Sequence, residues 1–266
     1  MDAETRDDRA YAIKEGSIGW LVFQNPTKLN AISGPMVEDA IAIARDFAAD
    51  PEIRTVILRG AGEKAFISGG DISKFEKTRF SPQGQKEGRR ALDILRAELI
   101  EMDKPVIAMI HGYCLGGGMG VALCADMRFG AETSQLGIPA ALRGVAYPIS
   151  GLKLLVDLVG PSIAKDIMIS GRRLKAEEAL RVGLLNRVVP ADELEDVTRA
   201  YAQTIADNAP LSIRASKFFI NQLGLEEDQR DTARIEDMVI AARDSEDFKE
   251  STRAFMEKRK PVFKGR

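Results

Sequence analysis

Lys104–Gly112, KPVIAMIHG, is an apolar stretch that runs straight into GYCLGGGMGVALCAD, residues 112–126. A buried strand that delivers the chain to three consecutive glycines and then to a helix-forming run is the strand–loop–helix unit of an α/β fold. A fourth glycine, Gly120, stands inside the first turn of that helix. Glycine there costs about 1 kcal/mol relative to alanine. Either a close backbone approach demands it, or a side chain usually carried at that point has been removed.

The same alternation continues through the first two-thirds of the chain. Ser17–Gln24 has the pattern of a buried strand, closed by the turn NPT. Pro35–Asp50 is an amphipathic helix, with Met36, Val37, Ala40, Ile41, Ala44 and Phe47 at helical spacing. Arg54–Gly60 is a short strand followed by a loop, AGEKAFISGGDISKF, and Gln85–Met102 is a second helix. Short strands near MRFGA and SQLGI follow. From Pro161 the pattern is helical almost to the end, and only LLNRVV suggests a further strand. The expectation is an α/β core over 1–195 and a helical region over 196–266.

Composition narrows the function. With 38 basic and 40 acidic residues the net charge is −2, and a nucleic-acid binder usually shows a clear basic excess. Cys114 and Cys124 sit in apolar context and suit buried free thiols. One histidine in the whole chain argues against a metal centre. The N-terminal stretch MDAETRDDRAYAIKEG lacks the apolar segment of a secretory signal, and no apolar run approaches membrane-spanning length. The expected setting is the cytoplasm, without membrane or nucleic-acid partners.

Two glycine loops follow strands: Phe66-Ile-Ser-Gly-Gly-Asp-Ile72, and Leu115-Gly-Gly-Gly-Met-Gly120. Neither is a dinucleotide fingerprint, and the second has no Lys-Ser/Thr to make a P-loop. Both expose backbone N–H groups, and the second opens a helix, whose first amides lack intrahelical partners. Two such donors from separate loops can converge on one carbonyl oxygen and stabilise an oxyanion.

These segments resemble the crotonase, or enoyl-CoA hydratase/isomerase, superfamily. The resemblance rests on NPTKLNAIS (25–33), AFISGGDISKF (65–75), KPVIAMIHGYCLGGGMGVALCADMRFGA (104–131), SQLGIPAALRGVAYPISG (134–151), AEEALRVGLLNRVVP (176–190) and AFMEKRKPVF (254–263), in order along nearly the whole chain. It implies a spiral of ββα turns with a C-terminal helical region that drives assembly into a homotrimer or a dimer of trimers. It also implies an acyl-CoA substrate, with coenzyme A as part of that substrate and no separate cofactor or metal. By motif position the oxyanion donors would be Gly70 and Gly117. Lys28, Leu29, Ala31, Ser68, Asp71 and Ile72 would line the CoA path. Phe255 and Lys258 would reach the CoA of a neighbouring subunit.

The chain departs from the pattern at the catalytic carboxylates. Hydratases of this family carry one glutamate four positions after the first glycine of the GGG run and another directly after the proline of G-x-P-E. Here those positions hold Gly120 and Ala140, and neither residue can move a proton. The methylmalonyl-CoA decarboxylases of the superfamily carry a tyrosine that Tyr147 matches, counted back from YPISG. Where their motif has a histidine this chain has Gly70, and the segment before Tyr147 is one residue longer. Decarboxylation needs no base to form an enolate, so the resemblance favours a decarboxylase-type reaction. Isomerisation, thioester hydrolysis, hydration by other groups and non-catalytic acyl-CoA binding stay open. His111 suits a packed core position, Asp71 a loop-fixing carboxylate, Asp126 and Arg128 structural roles, and Arg143 an ion pair with Glu132 or Asp126.

Overall fold

The computed structural model describes residues 8–71 and 82–266. Its strands are β1 (Arg9–Glu15), β2 (Ile18–Gln24), β3 (Thr55–Gly60), β4 (Ala65–Ile67), β5 (Val106–Ile110), β6 (Tyr113–Leu115), β7 (Met127–Ala131), β8 (Gln135–Gly137), β9 (Arg173–Lys175) and β10 (Arg187–Val189). The helices are α1 (Gly34–Ala49), α2 (Pro82–Glu101), α3 (Gly117–Ala122), α4 (Ile149–Ser170), α5 (Ala176–Arg181), α6 (Leu194–Ala206), α7 (Pro210–Leu223), α8 (Thr232–Asp244) and α9 (Glu246–Met256).

Two sheets form the frame. The larger has the order β1-β2-β3-β5-β7-β10, parallel except for the β1–β2 hairpin. The smaller has the order β4-β6-β8-β9, with β9 antiparallel to β8. Each central strand of the large sheet hands the chain to a short strand of the small one and then to a helix: β3–β4–α2, β5–β6–α3, β7–β8–α4. That is the expected spiral of ββα turns. It sets β4, β6 and β8 side by side, so the chain leaves them at neighbouring points.

The central strands β2, β3 and β5 are buried on both faces, which is why they are nearly continuous apolar runs. On one face Leu21, Phe23, Leu58, Ala108 and Ile110 pack with Met36, Ala40 and Phe47 of α1 and Leu95 and Leu99 of α2. On the other, Trp20, Ile57, Ile107, Met109 and Phe129 pack with Leu194 and Ala202 of α6. The 195/196 division therefore falls inside α6, a helix that covers the core sheet.

Some elements differ from the sequence reading. β1, β4 and β6 lie in segments read as charged, looped or glycine-rich, and β9 in the stretch read as helical from Pro161; β4, β6 and β9 are only three residues long and form through neighbours distant in sequence. The helix expected to begin at Pro161 is preceded by another over the first half of α4, and the break is Gly160, at φ 73° and ψ 165°. The 228–258 helix is two helices, because the Ser245 hydroxyl caps α9 by accepting from the Phe248 N–H at 3.0 Å.

Candidate active site

The site is built where three loops meet. The first is TKLNA. Leu29 and Asn30 both adopt left-handed backbone, at φ 53° and 55°. The buried Asn30 side chain fixes this turn: Nδ2 donates to the Ala61 and Ala65 carbonyls at 3.0 and 2.8 Å, and Oδ1 accepts from Asn25 N at 2.9 Å. Buried Ala31 closes the turn by donating its N–H to the Lys28 carbonyl at 3.1 Å.

The second loop, Ser68–Asp71, is tied to the first. Ser68 N donates to Leu29 O at 3.1 Å, and the Ser68 hydroxyl donates to Lys28 O at 3.2 Å. Ile32 N donates to Gly69 O at 2.8 Å, and Asp71 N donates to Ile32 O at 3.0 Å. Those two bonds flank Gly70 and leave its own N–H outside the pairing, since amides alternate in direction along extended chain. Asp71 is buried, and its Oδ2 holds the half-exposed Lys28 ammonium at 2.8 Å. Asp71 thus anchors the loop, as its position in the sequence suggests. Ile72 lies outside the described residues.

The third loop leaves β6 through Gly116, at φ 51° and ψ −110°, a conformation that only glycine adopts readily. Gly116 N donates to Gly137 O at 2.9 Å. Gly117 opens α3, so its N–H has no helical carbonyl to bond. A Cβ on Gly117 would stand 3.8 Å from Gly70 N. The two expected donors therefore belong to loops in contact, and a Cβ on Gly117 would also press on Ile32 Cγ2 at 3.3 Å.

One helical turn beyond Gly117, Gly120 presents its bare Cα to α2. A Cβ there would lie 2.8 Å from Arg96 Nη2. The same nitrogen comes within 4.0 Å of the corresponding point on Gly151, against which the half-buried Tyr147 ring packs at 3.5 Å. Gly120, Arg96, Gly151 and Tyr147 thus enclose one corner. Ala140, buried at the exit from β8, adjoins the glycine loop through the Gly116–Gly137 bond.

Arg96 is the residue that reading the sequence missed. Leu92, Leu95, Arg96 and Leu99 recur at helical spacing, and Leu95 and Leu99 are fully buried. A cation on that inward stripe was the available signal. The Arg96 side chain is only 14% exposed, and its Nη1 donates to Asp93 Oδ1 at 3.0 Å.

The other candidates divide clearly. Arg128 is buried and donates to Leu184 O and Ala125 O at 2.9 and 2.8 Å, its pKa pushed down to about 10 by burial. Asp126 accepts from Val106 N and Lys217 Nζ at 2.7 and 2.8 Å, so both residues are structural. Arg143 is exposed and pairs with neither Asp126 nor Glu132 among the described residues, which corrects that expectation; its 3-10 turn, Ala141–Arg143, faces outward. His111 is buried at the end of β5, and burial together with the Arg59 charge pushes its pKa down. Phe255 and Lys258 lie at the end of α9, both exposed, Phe255 by 82%. Among the described residues no group of three or more His, Cys, Asp or Glu side chains could hold a metal, and no helix is long and apolar enough to cross a membrane.

Known proteins match this arrangement closely. The family profile described as enoyl-CoA hydratase/isomerase matches residues 13–266. A short-chain-enoyl-CoA hydratase of Clostridium acetobutylicum is 34% identical over 249 residues, 93% of this chain and 94% of that protein. A carnitinyl-CoA dehydratase of Salmonella paratyphi A is 37% identical over 233 residues, 83% of this chain and 85% of that protein. Among solved structures, an enoyl-CoA hydratase/carnithine racemase from Magnetospirillum magneticum aligns with a TM-score of 0.93 at 33% identity, covering 98% of this chain and 97% of that one.

Proposed function

The chain belongs to the enoyl-CoA hydratase/isomerase family, and from that premise we propose that it acts on an acyl-CoA thioester through an oxyanion-stabilised enolate formed by decarboxylation. The carrying observation is the corner at Gly120, where an arginine guanidinium takes the place that a carboxylate would need.

In this reading the thioester oxygen accepts hydrogen bonds from Gly70 N–H and Gly117 N–H. Removing one donor of such a pair typically costs about a hundredfold to a thousandfold in rate. A carboxylate on the α-carbon leaves as CO₂. The C–C bond breaks, its electron pair passes into the Cα–C bond, and negative charge collects on the thioester oxygen. Water then supplies the proton to the α-carbon. No step calls for a protein base, so Gly120 and Ala140 do not obstruct it. The Tyr147 hydroxyl would orient the departing carboxylate. Lys28, Leu29, Ala31 and Ser68 would line the CoA path, with Asp71 holding Lys28 in place. Phe255 and Lys258, at the exposed end of α9, would complete the CoA site of a neighbouring subunit in a homotrimer or dimer of trimers. The route uses no cofactor besides the coenzyme A of the substrate.

The names of the curated relatives support a second reading, hydration or dehydration of an enoyl-CoA. It requires proton-transfer groups other than residues 120 and 140. Parallel assays separate the two: CO₂ release from methylmalonyl-CoA and loss of enoyl absorbance with crotonyl-CoA. CO₂ release without hydration supports decarboxylation. Robust hydration without CO₂ release overturns it, and binding without turnover of either ester leaves an acyl-CoA-binding role.

A further inference from the structure

We propose that Arg96 selects acyl-CoA thioesters whose acyl chain carries a carboxylate, by pairing its guanidinium with that carboxylate beside Gly120. The inference rests on the acyl-CoA reading above and adds the chemical class of the acyl group.

Four observations carry it. Arg96 projects from the apolar stripe of α2, where a side chain of its length would ordinarily turn to solvent; instead it is 14% exposed. Its one hydrogen bond among the described residues uses Nη1 and goes to Asp93, which is itself 57% exposed. Nη2 points instead to the bare Cα of Gly120, at 2.8 Å from the Cβ position. No side-chain nitrogen or oxygen among the described residues is both sealed from solvent and unpartnered. Each side-chain nitrogen of Arg96 is therefore either hydrogen-bonded or in contact with accessible space.

That space lies along the acyl chain. Gly120 follows Gly117 by three residues, about 4.5 Å along the helix axis at 1.5 Å per residue. A thioester oxygen on Gly117 N–H would place the α- and β-carbons toward Arg96. The guanidinium is planar, permanently charged and suited to carboxylate. An uncharged acyl chain would leave its donors without an acceptor in a partly desolvated corner, which is unfavourable. A cationic or bulky chain would be rejected outright. Glycine at 120 is then a positive requirement: any side chain there would displace Nη2.

The pairing has a kinetic signature. As CO₂ departs, negative charge moves from the carboxylate to the thioester oxygen, away from Arg96 and toward Gly70 and Gly117. Arg96 thus holds the bound substrate more tightly than the transition state, so it sets affinity and selectivity, not the rate of bond cleavage.

The test is calorimetric titration of the full chain with succinyl-CoA and with butyryl-CoA. Succinyl-CoA carries a carboxylate whose loss would not give a thioester enolate, so its binding is read without turnover. We expect succinyl-CoA to bind at least about tenfold tighter than butyryl-CoA, a difference of about 1.4 kcal/mol. Arg96→Gln should bring the two within about twofold, chiefly by weakening succinyl-CoA, and Arg96→Lys should retain part of the preference. Equal binding of both esters by the wild-type chain overturns the proposal, as does an undiminished preference in Arg96→Gln. These outcomes do not depend on decarboxylation: a chain that prefers succinyl-CoA but releases no CO₂ from methylmalonyl-CoA keeps the role of Arg96 and loses the reaction assigned above. Where methylmalonyl-CoA is turned over, Arg96→Gln should raise KM without lowering kcat, since the hold it removes is stronger on the bound substrate than on the transition state.

Discussion

A Cβ added to Gly118 would stand 2.2 Å from the Ile67 carbonyl oxygen and 2.8 Å from Ile67 Cβ. Helix α3 therefore rests directly on β4, the strand that leads into the Gly70 loop. Backbone cannot yield as a side-chain tip can. Gly118→Ala should destabilise the chain by about 1–3 kcal/mol, the usual cost of overpacking, and push the two glycine loops apart. Urea unfolding measures the first effect, and acyl-CoA affinity the second.

Gly120→Ala makes the opposite prediction from two residues away. The atom it meets is the end of an arginine, which can swing aside. Alanine also favours the helix by about 1 kcal/mol. The variant should fold as stably as the parent or more so, yet lose the preference for a carboxylate-bearing ester, because Nη2 is displaced. Thermal unfolding and the succinyl-CoA/butyryl-CoA titrations, run on the same preparation, check both halves.

The two thiols should be inert in the native chain. Cys114 and Cys124 are buried, and burial raises both pKa values, that of Cys124 to about 12. The thiolate is the reactive form, and burial removes it as well as access. An aromatic disulfide reagent at pH 8 should label neither thiol in the folded chain and both in urea. Rapid labelling of the native chain would contradict this packing.

His111 should make stability depend on pH near neutrality. Its folded pKa is lowered from 6.5 by burial and by Arg59. Between the folded value and 6.5 the unfolded chain binds the extra proton, so stability rises with pH across that window. The contribution is complete above about 6.5 and is lost as pH falls through the folded pKa. Melting temperatures from pH 7.5 to 5 should therefore decline, and His111→Gln should flatten that part of the decline.

How much of this was legible in the sequence depends on the range of the interaction that fixes each element. The long strands and α1 declared themselves because each buries a run or stripe of its own. Gly70, Gly117 and Asp71 were singled out through motifs, but the bonds that hold their loops run to Leu29, Ile32 and Gly137, which no single motif records. The three-residue strands β4, β6 and β9 were not, since each pairs with partners far away in the chain. Nor was Arg96 found: an arginine among leucines gains meaning only when α2 is laid across α3, and nothing within α2 records that Gly120 lies opposite.

That juxtaposition also governs whether hydration can be installed. Gly120→Glu with Ala140→Glu would supply a carboxylate at each of the two positions where the resemblance to the family's hydratases leads one to expect it. With Arg96 in place, the glutamate at 120 would have its Cβ 2.8 Å from the present position of Nη2 and its carboxylate within reach of the guanidinium. An ion pair there lowers the carboxylate pKa and removes the base strength that proton transfer from water requires. The double variant should therefore show only weak crotonyl-CoA hydration. Adding Arg96→Ala frees the carboxylate from its counter-ion and opens room for a water, and hydration should rise by at least about tenfold, the scale of one pKa unit of restored basicity. Absorbance loss with crotonyl-CoA reads the outcome directly. Equal activity in the double and triple variants would show that the arginine does not control this corner, and would shift the barrier to hydration onto the pocket walls around Tyr147.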